Sequence, residues 1–261
     1  YANLYLRVAK LASSLRVQGV VSGDRVAAFI PNIEEAVVAM LATTSIGAVW
    51  SSCSPDFGVN GAIDRLGQIQ PKILFAADGY HYNDKACDSL QRVSVIVESI
   101  ASIAVTVIIP LLSPKPDLKL IRNDILFEDY LDDAATAVEF AQLPFDHPLY
   151  IMYSSGTTGP PKCILHGAGG SLLQHLKEHQ LLVDLRREDV FFYFTTCGWM
   201  MWNWLVAGLA SEATLVLYDG APFFPTATAM IDMAETEQIS IFGTSAKYID
   251  ALQKAGVLPA K

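Results

Sequence analysis

The sequence predicts an α/β protein: two mixed or largely parallel β-sheets with covering helices. Three observations predict it. Apolar runs of strand length alternate with helix-length patterns along almost the whole chain. Hydrophobic residues make up 52% of the 261 residues and charged ones 17%, a composition that builds cores and excludes wholesale disorder. Several of the strand-length runs carry no charge, as strands covered on both faces do.

The elements follow in order. Residues 4–17 place Leu4, Val8, Leu11 and Leu15 on one stripe of a helix. Gly23 and Asp24 turn into a strand over 26–30. Asn32 is the expected cap of a second helix, with Glu34 and Glu35 in its first turn. That helix should reach Ile46 and end at Gly47. A strand over 48–52 is broken by Ser54-Pro55-Asp56-Phe57-Gly58, and a short helix then runs to Gln70-Pro71. Strands follow over 73–77 and 104–109, with a more polar segment between them. The stretch 111–146 is the loosest, and its Pro114-Lys115-Pro116-Asp117 is the best linker candidate. The expected boundary is there: a first lobe over 1–145 and a second over 146–261. In the second, 149–152 is a strand, 163–166 is short and extended, and Gly167 to Gly170 open a helix of roughly fifteen residues. Three more strands fall at 190–196, 214–218 and 239–242, with helices between and after them.

A net charge of −9 leaves no basic stripe for a nucleic-acid backbone, although a nucleotide needs only a few local donors. The four cysteines, Cys53, Cys87, Cys163 and Cys197, form no close pair, so neither a zinc site nor a disulfide framework is expected. A reduced, cytosolic setting fits. Two uncharged runs, 36–55 and 190–211, are interrupted by Thr, Gly, Ser and Asn, and read as a strand joined to a buried helix rather than as membrane spans. The start at Tyr1 carries no leader pattern and no initiator Met, so a fragment of a longer chain is expected.

Residues 153–162, Tyr153-Ser154-Ser155-Gly156-Thr157-Thr158-Gly159-Pro160-Pro161-Lys162, carry the chemistry. Glycines let backbone approach closely, hydroxyls and N–H groups donate to phosphate oxygens, and Lys162 adds a compact charge. The competing reading is a Gly/Ser-rich surface turn. The spacing is not that of the common P-loop: two prolines precede Lys162, and Cys163 stands where a Mg²⁺-holding Ser or Thr would be. It is not a Rossmann fingerprint either.

This segment resembles the signature loop of the AMP-forming adenylating enzymes, a family of acyl-CoA synthetases, luciferases and peptide-synthetase adenylation domains. The flanks Trp50-Ser51-Ser52, Ser54 to Gly61, Gln68 to Lys72, Leu172 to His179, Gly198 to Trp204 and Leu217 to Gly220 resemble its acetoacetyl-CoA synthetase branch, with acetyl-CoA synthetases as nearest relatives. The resemblance covers nearly the whole chain and weakens between about Tyr80 and Asp146. It implies the N-terminal region of an adenylating-enzyme fold, with ATP, Mg²⁺ and CoA as participants and acetoacetate as the small-molecule partner. An acetyl- or propionyl-CoA synthetase-like ligase is the alternative. Ser154, Ser155, Gly156, Thr157, Thr158, Gly159 and Lys162 would hold the β- and γ-phosphates, with Thr157 and Lys162 serving catalysis. Trp199, Met200, Met201 and Asn203 would line the acyl pocket; on spacing alone they read as core. Gly243 and Thr244 sit at the corner that would face the adenylate, or simply start a capped helix. The family's adenine and ribose contacts, Mg²⁺-holding acid and mobile C-terminal domain with its lysine lie past Lys261, and no basic CoA segment is evident near Asp78 to Lys85. This chain alone is therefore not expected to complete catalysis, and a dead nucleotide-binding fragment stays open.

One unrelated motif remains. His175-Leu176-Lys177-Glu178-His179 fits the H-x-x-E-H pattern of zinc peptidases, against an exposed helical face as the plain reading. A metal would need a third ligand that the sequence does not mark.

Overall fold

The structure, a computed structural model, describes residues 1–154 and 159–257. In chain order to Leu176 the elements are α1 (Ala2–Val17), β1 (Arg25–Phe29), α2 (Glu34–Ser45), β2 (Val49–Cys53), α3 (Gly58–Ile69), β3 (Ile73–Ala77), the hairpin β4 (Gly79–Tyr82) and β5 (Lys85–Asp88), α4 (Leu90–Ser99), β6 (Val105–Ile109), β7 (Asp124–Leu126), α5 (Phe127–Tyr130), β8 (Pro148–Tyr153), β9 (Cys163–Gly167) and α6 (Ala168–Leu176). A π-helical turn, Lys177–Leu182, continues α6. Then come β10 (Val190–Tyr193), α7 (Met200–Ala207), a 3₁₀ turn Gly208–Ser211, β11 (Thr214–Val216), α8 (Ala229–Thr236), β12 (Ile241–Gly243) and α9 (Ala246–Lys254).

The expected α/β class holds. A seven-stranded sheet runs β7-β6-β3-β1-β2-β8-β9, parallel throughout except for the antiparallel β8–β9 pair. A three-stranded parallel sheet runs β11-β10-β12. The central strands are wholly buried, which is why they read as uncharged runs. Leu66 of α3 and Val93, Ile96 and Val97 of α4 pack with Leu74 and Phe29 in one core cluster on the large sheet.

Gly47 ends α2 as expected. Its φ of 78° is open to glycine, its N–H meets Thr44 O at 3.1 Å, and Ala48 N meets Thr43 O at 3.2 Å. The first turn of α2 differs from expectation. Its cap position is Ile33, not Asn32, and no side chain caps it. The acidic first turn instead meets Arg7, which donates to Glu34 at 2.8 Å and Glu35 at 2.9 Å.

Compact contacts group residues 1–80 with 88–171, and residues 81–87 with 172–261. The tract 114–117 lies inside the first of these units, so it does not link two lobes. Strand β8, just past the boundary expected at 145, pairs with β2 through Trp50 and Tyr150 and so extends the first sheet. The two uncharged runs are α2 with β2, and β10 with α7 and the turn after it. Among the described residues no helix is long and apolar enough to cross a membrane.

Candidate functional site

Strand β8 runs parallel to β2 and ends at Tyr153, so the chain leaves it at the carboxyl edge of a parallel sheet, where open α/β sheets bind ligands. It returns as β9, with Tyr153 opposite Cys163. Residues 154–162 close that hairpin. Ser154 N donates to Lys162 O at 3.0 Å, and Lys162 N donates to Ser154 Oγ at 2.9 Å. Ser154 and Lys162, two residues expected to hold phosphate, are thereby fixed at the two stems of the loop. Gly159 is exposed with a φ of 157°, extended toward the edge of the glycine-favoured range. Ser155, Gly156, Thr157 and Thr158 lie outside the described residues.

Helix α3 backs the hairpin. The Gln68 side chain donates to Pro161 O at 2.8 Å, and Cys163 Sγ lies 3.7 Å from Gln68 Oε1. Arg65 sits 4.5 Å over the Phe57 ring and 6.0 Å from the Tyr153 ring. Ser51 Oγ of β2 lies 2.9 Å from Ile151 O and 3.0 Å from the Tyr153 hydroxyl. Burial pushes the Tyr153 hydroxyl well above its ordinary pKa, so it stays protonated at neutral pH, and it raises the Cys163 thiol too. Neither is a ready nucleophile. Lys162 is exposed and makes no ion pair among the described residues, so its charge is available to an anion. The stem therefore offers an exposed cation, suited to neutralising an anion.

The residues expected to line an acyl pocket lie in the other unit. Trp199 precedes α7 and is 56% exposed, Met200 and Met201 begin the helix half-buried, and Asn203 is buried. Trp204 packs as core, with its ring 4.5 Å from His179, 5.2 Å from Phe191 and 5.7 Å from Tyr193. Gly243 ends β12 opposite Tyr193, and a Cβ there would come within 2.2 Å of that ring. Thr244 lies on the wall of an apolar groove of about 650 Å³ with Phe242, Tyr248 and Leu252. None of Trp199, Met200, Met201 or Asn203 lines that groove. Ser245 caps α9 through Tyr248 N at 3.2 Å, so the expected strand-to-helix corner is real.

The H-x-x-E-H segment does not assemble a metal centre among the described residues. His175 and His179 are both buried with ring centroids 6.3 Å apart, and no group of three His, Cys, Asp or Glu side chains is placed to hold an ion. His179 turns into the aromatic core beside Trp204. The exposed-face reading fails for both histidines; Lys177 and Gln174 hold that face.

Sequence reasoning missed Gln68 and Ser51 as supports of the hairpin. Their partners are 93 and 102 residues away, and nothing local signals them. It also missed Asp78, whose buried carboxylate accepts from Leu111 N, Leu112 N and Ser113 N at 2.7, 2.8 and 2.9 Å.

Comparison with known proteins gives a consistent picture. The profile of the AMP-binding enzyme family matches residues 1–261. The chain is 52% identical to acetoacetyl-coenzyme A synthetase of Rhizobium meliloti (strain 1021), over 97% of this chain and 39% of that protein. It is 46% identical to acetoacetyl-CoA synthetase of Mus musculus, over 100% of this chain and 40% of that protein. The solved structure of acetoacetyl-CoA synthetase from Streptomyces lividans superposes with a TM-score of 0.94 at 45% identity, covering 99% of this chain and 39% of that one. The chain thus spans about two fifths of the length of the relatives it matches.

Proposed function

The chain belongs to the AMP-binding enzyme family, and on that premise we propose that it serves the ATP-dependent ligation of acetoacetate to CoA. A carboxylate oxygen of the acid attacks the α-phosphorus of ATP, and the bond to pyrophosphate breaks as the acyl-adenylate forms. The CoA sulfur then attacks the activated carbonyl, its proton goes to solvent, and AMP leaves. No enzyme side chain acts as nucleophile, because the substrate carboxylate is one already.

The observation that carries this reading is the Ser154–Lys162 clamp at the end of β8, which fixes the backbone of an exposed lysine that makes no ion pair among the described residues. In the first step Lys162 stabilises charge gathering on the departing pyrophosphate. Ser155, Gly156, Thr157, Thr158 and Gly159 supply further donors in the same role. Trp199, Met200 and Met201 shorten the acyl cavity to fit a small keto-acid, Asn203 faces its polar end, and Gly243 and Thr244 face the adenylate. Among the described residues no acidic cluster is placed to hold Mg²⁺, which ordinarily arrives on the nucleotide's own phosphate oxygens. A cytosolic setting belongs to the same reading; Cys53, Cys87, Cys163 and Cys197 form no disulfide.

The test is acid-dependent pyrophosphate release by protein containing this chain, with acetoacetate, acetate and butyrate in turn. Acetoacetate should be preferred. Lys162→Ala should lower the rate about 10²-fold for every acid, the scale of losing one charge-stabilising group. Undiminished release from Lys162→Ala would sink the reading. A preference for acetate would move it to the acetyl-CoA synthetase-like alternative.

A further inference from the structure

We propose that Gln68 is a positioning residue for Lys162, holding the peptide on both sides of the lysine so that its ammonium meets the phosphates in one geometry. This rests on the phosphate-loop reading above. Both donors of the Gln68 amide are taken by the hairpin and its own helix. Nε2 donates to Pro161 O at 2.8 Å and to Asp64 O at 2.5 Å, and Oε1 lies 3.7 Å from Cys163 Sγ. Pro161 and Cys163 are the two neighbours of Lys162 in the chain. Among the described residues, Lys162 itself is held by its backbone, through Ser154. Two residues from two elements thus frame one flexible cation.

The frame is rigid where it needs to be. Leu66 and Ile69, on either side of Gln68 in α3, are buried in the core of the large sheet. Arg25 fastens the end of α3 by donating to Ile69 O at 2.8 Å and Gln70 O at 3.3 Å. Gln68 is exposed, so its contacts to the hairpin are not needed to fill the core. A solvent-facing amide that donates to a loop carbonyl contributes little to folding and much to where the loop's lysine stands. A displacement of about 1 Å in a charged group is enough to cost catalysis on the order of 10²-fold. Glutamine is suited because it donates and accepts at once; glutamate has the same reach and no donor.

The experiment is a double-mutant cycle on pyrophosphate release, using protein that contains this chain. Gln68→Glu should lower kcat/KM for ATP about 10-fold, with the KM for the acid unchanged and Tm within about 2 °C of wild type. In a Lys162→Ala background the same change should cost less than about 2-fold, because the group being positioned is gone. Gln68→Met, of similar length and uncharged, should match Gln68→Glu and separates donor loss from introduced charge. Equal losses in both backgrounds, or no loss from either Gln68 variant, would overturn the assignment while leaving the phosphate loop intact. A Lys162→Ala protein of full activity would overturn the loop reading itself, and this inference with it.

Discussion

Ser154 and Lys162 hold each other twice, Ser154 N–H donating to the Lys162 carbonyl at 3.0 Å and Lys162 N–H donating to the Ser154 hydroxyl oxygen at 2.9 Å, across the mouth of the β8–β9 hairpin. One bond is backbone to backbone and tolerates any residue. The other depends on the serine side chain. The pair therefore separates what the loop needs for shape from what it needs for chemistry, and substitution can address each alone.

Ser154→Ala removes only the hydroxyl bond. A neutral hydrogen bond at a partly exposed site contributes about 1 kcal/mol, so the fold should survive with a Tm change of a few degrees. The lysine stem should loosen, raising the KM for ATP about 5-fold in a pyrophosphate-release assay. Ser154→Thr keeps the hydroxyl and should stay within about 2-fold of wild type. A Ser154→Ala protein with unchanged KM for ATP would mean that the hydroxyl serves folding alone.

Trp199 and Trp204 are five positions apart and should behave as opposites. Trp204 packs tilted against His179 and edge-on against Phe191 and Tyr193 on the core of the small sheet, so Trp204→Ala should lose about 3–5 kcal/mol of stability in denaturant titration. Trp199 is more than half exposed, and Trp199→Ala should stay within about 0.5 kcal/mol. If Trp199 bounds the acyl cavity, its removal should instead shift preference from acetoacetate toward longer keto-acids. The ratio of kcat/KM values across the three acids reads this directly. Met200→Ala and Met201→Ala extend the test along the first turn of α7.

What the sequence made legible was local. The uncharged run ending in Tyr153 and the Gly, Ser and Thr after it mark strand and loop within a dozen residues, as Gly47 marks the end of α2. The β4–β5 hairpin was also within reach and missed. Asn83 and Asp84 carry φ of 49° and 62° at its turn, and Asn and Asp are the non-glycine residues that adopt such angles most easily. Other features had no local signal. Pro114 to Asp117 look like a linker because prolines and charges cluster there, yet the segment before them is pinned by Asp78, 33 residues upstream at the end of β3. Gln68 looks like any exposed helical residue until β9 folds back beside it. His175 and His179 have metal-site spacing, and only packing shows that His179 is spent on Trp204 and Phe191.

His179 should also set part of the acid sensitivity of the fold. Its side chain is fully buried, and burial, helped by the nearby His175 imidazole, lowers its pKa from 6.5 to about 4. Folding therefore excludes a proton that the unfolded chain binds between those values. The sign follows from linkage: stability is full above about pH 6.5 and is lost as pH falls toward 4. Between pH 7.5 and 5 the loss from this one group should be about 2 kcal/mol. His166, also lowered by burial, adds in the same direction. Asp24, Asp117 and Asp132 have pKa values depressed below 3.8, so their contributions fade only at lower pH and leave the window to the histidines. Urea titrations at pH 7.5 and pH 5 measure the difference. In His179→Leu the pH-dependent loss should shrink by about 2 kcal/mol, leaving the His166 share. An unchanged loss would place His179 outside the acid response and require that it take up a proton within the folded core.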